Sequence, residues 1–127
     1  MSTPTIATRL RRRCIVLCAD PGLRARLEAA LPEGWSMTAP GEGEALGDFA
    51  EVLQHRFVLL DLDEAEAFDP LAVIERLRSE MMLNVPIFCF GGDAAQRGAA
   101  RLARADRFFD RAEIAQRLSQ FCEQFGW

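Results

Sequence analysis

At 127 residues, half of them hydrophobic and 27% charged, the chain suits one domain with a core of its own, and its composition is neither disordered nor membrane-spanning. The formal charge of -4, from 19 acidic residues against 15 cationic ones that are all arginine, excludes a general pull toward nucleic acid. Four cysteines without a CxxC pair, and His55 as the single histidine, exclude a redox motif and zinc-ligand spacing.

The opening MSTPTIATRLRRR has no acid and no apolar stretch, which argues against secretion although its Ser, Thr and Arg content is that of organellar transit peptides. Residues 1–12 are read as a flexible Arg-rich tail and 13–127 as the domain. Arg9, Arg11, Arg12 and Arg13 then act as charged gatekeepers of the strand that follows.

Cys14-Ile15-Val16-Leu17-Cys18 is a continuous apolar run, as in a strand covered on both faces. Asp20-Pro21 starts a helix, with the acid as N-cap and the proline at the first helical position. That helix carries Leu23, Leu27 and Leu31 and stops at Pro32 and Gly34. Trp35 to Ala39 is a short strand. Pro40-Gly41-Glu42-Gly43 turns into a helix with Leu46, Phe49, Ala50 and Leu53 on one face, closed by His55 as a solvated cap.

The stretch Arg56 to Asp63, RFVLLDLD, is the centre of the pattern. Phe57 to Leu60 form a second buried strand, and Asp61 and Asp63 stand where it leaves the sheet. In an open α/β fold that rim collects ligands and chemistry. Asp69-Pro70 repeats the cap-plus-proline start of a helix over Leu71, Ile74, Leu77 and Arg78, reaching Met81 or Met82. Pro86 to Phe90 is the next buried strand, broken by Gly91-Gly92. Asp93 caps an alanine- and arginine-rich helix to Arg104. Phe108-Phe109 is a minimal last strand, and Arg111 to Phe125 a helix with Ile114, Leu118, Phe121, Cys122 and Phe125 as its core stripe. Alternation of five strands with five helices predicts an α/β fold: a doubly wound (βα)5 domain with a five-stranded parallel sheet.

These segments, in this order and spacing, resemble the receiver domain of two-component response regulators, over Arg13 to about Phe125. CIVLCADPGLRARLEAAL is similar to a receiver's first strand and helix, FVLLDLD to its phosphoacceptor strand and DPLAVIERLR to its third helix. VPIFCFGGD falls at the fourth strand and ARADRFFDRAEI at the fifth strand and following helix. The resemblance implies a flavodoxin-like sheet in the order 2-1-3-4-5. It also implies that Asp61 is the aspartate that accepts a phosphoryl group from a histidine kinase.

Elsewhere the site departs from the family. Cys18 and Ala19 stand where the resemblance expects the acidic pair that helps hold magnesium, and Asp20 comes one place late. Gly91 replaces the hydroxyl residue, Arg111 the lysine, Ala112 the proline after it, and Ala65 the proline of a loop one residue longer. Mg²⁺ wants near-octahedral oxygen ligation, and guanidinium is a planar fork rather than a point charge. Asp61, Asp20 and Asp63 are the only metal-ligand candidates, and the expectation is that no cofactor is needed, with Mg²⁺ as the alternative.

The reading that follows is a stand-alone, degenerate receiver in phosphorelay signalling, not an enzyme, acting in the cytoplasm by protein–protein interaction. Its alternative is a conventional receiver phosphorylated at Asp61 with Mg²⁺. Expected partners are a histidine kinase or another signalling protein and a second copy through the 93–125 face, where Arg97, Arg101 and Arg104 lie. Neither nucleic acid nor membrane is expected. A small flavodoxin-like enzyme or nucleotide binder is a third option, resting only on the Gly91-Gly92-Asp93 turn before a helix. No glycine fingerprint of the dinucleotide or P-loop type accompanies it.

Overall fold

The computed structural model describes residues 12–39 and 52–125. Its strands are β1 (Arg12–Leu17), β2 (Trp35–Thr38), β3 (Val58–Asp61), β4 (Ile87–Phe90) and β5 (Arg107–Phe109). They form one parallel sheet in the order β2-β1-β3-β4-β5: the parallel, doubly wound sheet expected from the alternation of elements, in the order that the resemblance implies. The described helices are α1 (Pro21–Ala29), α2 (Pro70–Glu75), α3 (Ala94–Leu102) and α4 (Ile114–Gln124). Leu46, Phe49 and Ala50 of the remaining expected helix lie outside the described residues.

The uninterrupted apolar runs follow from burial on both faces. Side chains alternate along a strand, so β3 sends Val58 and Leu60 to one core with Val73, Ile74 and Leu77 of the 70–80 helix. Phe57 and Leu59 enter the other, with Leu23 and Leu27 of α1 and Leu118 and Phe121 of α4. Phe88 and Phe121 stack there at 4.5 Å between ring centroids, which confirms the aromatic stripe as core. All four cysteines are buried and unbridged.

Both Asp-Pro starts are built as expected. The Asp20 carboxylate accepts from the backbone N–H of Gly22 and Leu23, and Asp69 does the same for Leu71 and Ala72. Asp93 and Gln96 close a capping box on α3, which satisfies two orphan N–H groups at once.

Four local details differ from expectation. The helix from Pro70 does not stay α-helical: it ends in a π-helical turn, Arg76–Glu80, with the Met81 N–H donating to Arg76 O at 2.8 Å. Arg78 in that turn is buried and ties it to the segments beyond. His55 is not simply a solvated cap, because its Nε2 and Thr38 Oγ1 share a hydrogen bond of 2.8 Å that fixes the end of β2. Leu53 is exposed while Val52 is buried. The last helix begins at Ile114 rather than Arg111, and that displacement leaves Arg111 in the loop above the sheet.

Candidate functional site at the carboxyl rim of the sheet

Asp61 is the last residue of β3, and its side chain is buried on the α1 and α4 side of the sheet, the face also taken by Cys18 and Phe90. Its neighbours come from distant parts of the chain. β1 lies beside β3, so the loop that follows β1 brings in Asp20, while the loop after β5 brings in Arg111. Parallel strands end together, which is why residues so far apart in sequence meet here.

Arg111 organises the group. One guanidinium nitrogen, Nη1, donates to Asp61 Oδ1 at 2.8 Å and to Asp63 Oδ2 at 3.3 Å, and the other, Nη2, to Asp20 Oδ2 at 3.2 Å. The guanidinium also lies over the Phe90 ring, 5.5 Å from its centroid, a favourable placement for a cation. Backbone donors complete the cluster: the Asp63 N–H reaches Asp61 Oδ1 at 2.9 Å, and the Gly92 N–H reaches Asp63 Oδ1 at 2.9 Å. Five of the six carboxylate oxygens of Asp20, Asp61 and Asp63 thus face N–H donors. The sixth, Asp61 Oδ2, meets the Cys18 thiol at 3.7 Å.

The titration behaviour follows from these contacts. Partial burial works against the charge on Arg111, but the hydrogen bonds and charges of Asp61 and Asp20 outweigh it and raise its pKa, so the guanidinium stays charged. The N–H of Leu23, with the Arg111 guanidinium, holds the Asp20 carboxyl below the usual carboxylate range. Burial pushes the Cys18 thiol up to about 11; at neutral pH it is a neutral, weak donor and not a thiolate.

Gly91 has a structural reason. Its φ is +73°, and a Cβ built on it would fall inside the Asp63 carboxylate. Asp63 therefore occupies the space that a side chain at residue 91 would need. Asp20, Asp61, Asp63 and Arg111, all singled out in the sequence, form one cluster spread along the guanidinium fork, with Gly91 against it. The sequence reading did not anticipate Glu64, and it named Arg97 only as part of the 93–125 partner face. Glu64 Oε1 accepts from the N–H groups of Ala65, Glu66 and Ala67 and so folds the loop after Asp63. Arg97 Nε donates to Gly91 O and its Nη2 to Phe109 O, both at 2.9 Å, which joins α3 to the ends of β4 and β5. Arg97 is thus engaged rather than solvated, and Arg101 lies over the Phe108 ring at 5.0 Å. An acid with alanines one and three places on, Ala65 and Ala67, and an arginine one turn into a helix after Gly-Gly were the available signals.

No family model matches this sequence, and no curated protein is similar to it at a significant level. Solved structures are. A response regulator signal receiver domain from Bermanella marisrubri superposes with a TM-score of 0.72 at 22% identity, over 89% of this chain and 96% of that one. A phosphorylated cyanobacterial phytochrome response regulator, RcpA, gives 0.72 at 12% identity, over 91% and 94%. The Mn²⁺-bound form of the response regulator Rcp1 gives 0.67 at 10%, over 88% and 92%. The chain has the flavodoxin-like fold of response regulator receiver domains. Among the described residues no helix is long and apolar enough to cross a membrane, and no group of three or more His, Cys, Asp or Glu is arranged to hold a metal ion.

Proposed function

We propose that this chain is a receiver-type domain of two-component signalling that acts by protein–protein contact, with Asp61 as its one retained acceptor candidate, and not as an enzyme. The observation that carries the reading is the Arg111 guanidinium hydrogen-bonded to Asp61, Asp63 and Asp20 together. Phosphoryl transfer depends on positioning the reacting oxygens and neutralising the charge that develops. Here the charge that would serve an incoming phosphoryl group is already spent on carboxylates.

With the Arg111 guanidinium in place, the donor set does not suit a hard divalent cation. Cys18 and Ala19 offer no carboxylate oxygen, the Cys18 thiol is neutral, and one oxygen of Asp20 caps α1. Magnesium takes oxygen ligands in near-octahedral geometry, and the guanidinium stands among the oxygens it would use.

Partners would be a histidine kinase or another signalling protein, with a second copy of the chain on the 93–125 face. The test treats the protein with acetyl phosphate and MgCl2 and reads the intact mass. The expected result is no stoichiometric phosphoryl adduct. An adduct on the wild type that Asp61→Asn abolishes would replace this reading with the conventional one, phosphorylation at Asp61 with Mg²⁺. One observation favours that alternative: among the described residues Asp61 Oδ2 meets the Cys18 thiol and no N–H donor, so of the two Asp61 oxygens it is the one better placed to attack phosphorus.

A further inference from the structure

We infer that Arg111 is a built-in counter-ion that replaces a divalent cation at this rim, so that the domain folds and keeps its rim in order without metal. The inference deepens the proposed function and rests on it only in taking the rim for that of a receiver.

Three carboxylates crowd here, and they repel unless something positive stands between them. A compact ammonium serves three such acceptors only where they converge on one point, whereas a guanidinium presents donors along a planar fork. The observed contacts use that breadth, with Nη1 shared by Asp61 and Asp63 and Nη2 on Asp20. Each carboxylate also has a fixed backbone donor: Gly22 and Leu23 for Asp20, Asp63 N–H for Asp61, and Gly92 for Asp63.

The sequence departures then form one co-adapted set. Arg111 supplies the permanent charge, and Phe90 gives it an aromatic face to rest on. Cys18 supplies bulk without a negative charge beside Asp61. Gly91 vacates the space into which Asp63 leans to reach both Arg111 and Gly92. With a side chain at residue 91 Asp63 could not stay in place, and the fork would lose an acceptor.

The experiment compares urea unfolding midpoints in EDTA, in millimolar MgCl2 or MnCl2, and in NaCl of equal ionic strength. For the wild type the midpoint is expected to be the same with divalent salt as with NaCl. For Arg111→Ala it is expected to be lower in EDTA and to rise saturably with the divalent ion, a rise lost in Arg111→Ala/Asp61→Asn. Arg111→Gln, which keeps polar contacts without charge, gives the same comparison if the alanine variant does not fold. A saturable rise in the wild type that Asp61→Asn removes would overturn the inference. So would a folded, charge-free variant at residue 111 that responds to divalent ions no more than to NaCl. The two proposals fail separately: a phosphoryl adduct formed in EDTA sinks the proposed function and leaves the counter-ion, while cation-dependent stability without an adduct does the reverse.

Discussion

Arg78 and Arg111 each gather partners from several elements, at opposite ends of the same strands. Arg78 works at the amino-terminal rim with its side chain 6% exposed. It donates to the carbonyl oxygens of Arg104, Leu83 and Val85 and to Asp106, which also accepts the Ile87 N–H. Arg111 works at the carboxyl rim, 34% exposed, and its hydrogen-bond acceptors among the described residues are carboxylates. The difference lies in the acceptors. Backbone carbonyls have no alternative partner once buried, so Arg78 is part of the fold. Asp20 and Asp63, each about half exposed, can exchange a guanidinium for water or another cation, whereas Asp61 is buried, so the solvent side of the rim around Arg111 is where a change of partner is affordable.

The largest break in that comparison comes from Arg78→Met. The carbonyls of Arg104, Leu83 and Val85 lose a donor together, while the half-exposed Asp106 keeps the Ile87 N–H, and each buried carbonyl left unsatisfied costs about 1–3 kcal/mol. Urea unfolding should show this loss with little dependence on NaCl. A loss below about 1 kcal/mol would mean that the amino-terminal rim is no more committed than the other.

Gly91→Ser is next. A residue with a Cβ is strained at a φ of +73° and collides with Asp63, for an expected loss of about 1–3 kcal/mol. The same substitution in an Asp63→Ala background should cost less, because only the backbone strain remains. An unchanged cost in the double-mutant cycle would remove Asp63 as the reason for the glycine.

Arg111→Ala is smaller in stability, about 1 kcal/mol once solvent screening is allowed for. Unlike the Arg78 effect, it should shrink as NaCl is raised. A loss independent of salt would make the two arginines alike after all.

The smallest effect concerns acid. The N–H of Leu23 and the Arg111 guanidinium depress the Asp20 carboxyl, and the N–H groups of Ala67 and Glu66 depress that of Glu64. A depressed folded-state pKa contributes stability that is present above the ordinary values of 3.8 and 4.5 and is lost as pH falls through the lowered ones. Asp20→Asn should therefore flatten the decline of the unfolding midpoint below about pH 4. A decline identical to that of the wild type would show that Asp20 keeps no special state at the rim.

Much of the architecture was legible because it is local. Asp20-Pro21 and Asp69-Pro70 carry both a side-chain acceptor and a residue that needs no N–H donor, so they mark helix starts anywhere. The runs Cys14 to Cys18, Phe57 to Leu60 and Pro86 to Phe90 have no polar face, which suits only strands covered on both sides. Asp61 and Asp63 were legible too, as acids where the central strand ends, while Asp20 and Arg111 entered the site through the resemblance to receiver domains.

What sequence reading missed depends on contacts between elements. The π-helical turn at Arg76–Glu80 exists where Arg78 reaches carbonyls beyond its own helix, and no periodicity encodes that. His55 meets Thr38 across a stretch of chain with no shared pattern. The sequence by itself determined which residues become strands, which become capped helices, and that acids end the central strand, since each of these follows from a few neighbours. Only the tertiary structure decided that Arg111 lies between Asp20, Asp61 and Asp63: strand order, not spacing along the chain, places residue 111 within reach of residue 20.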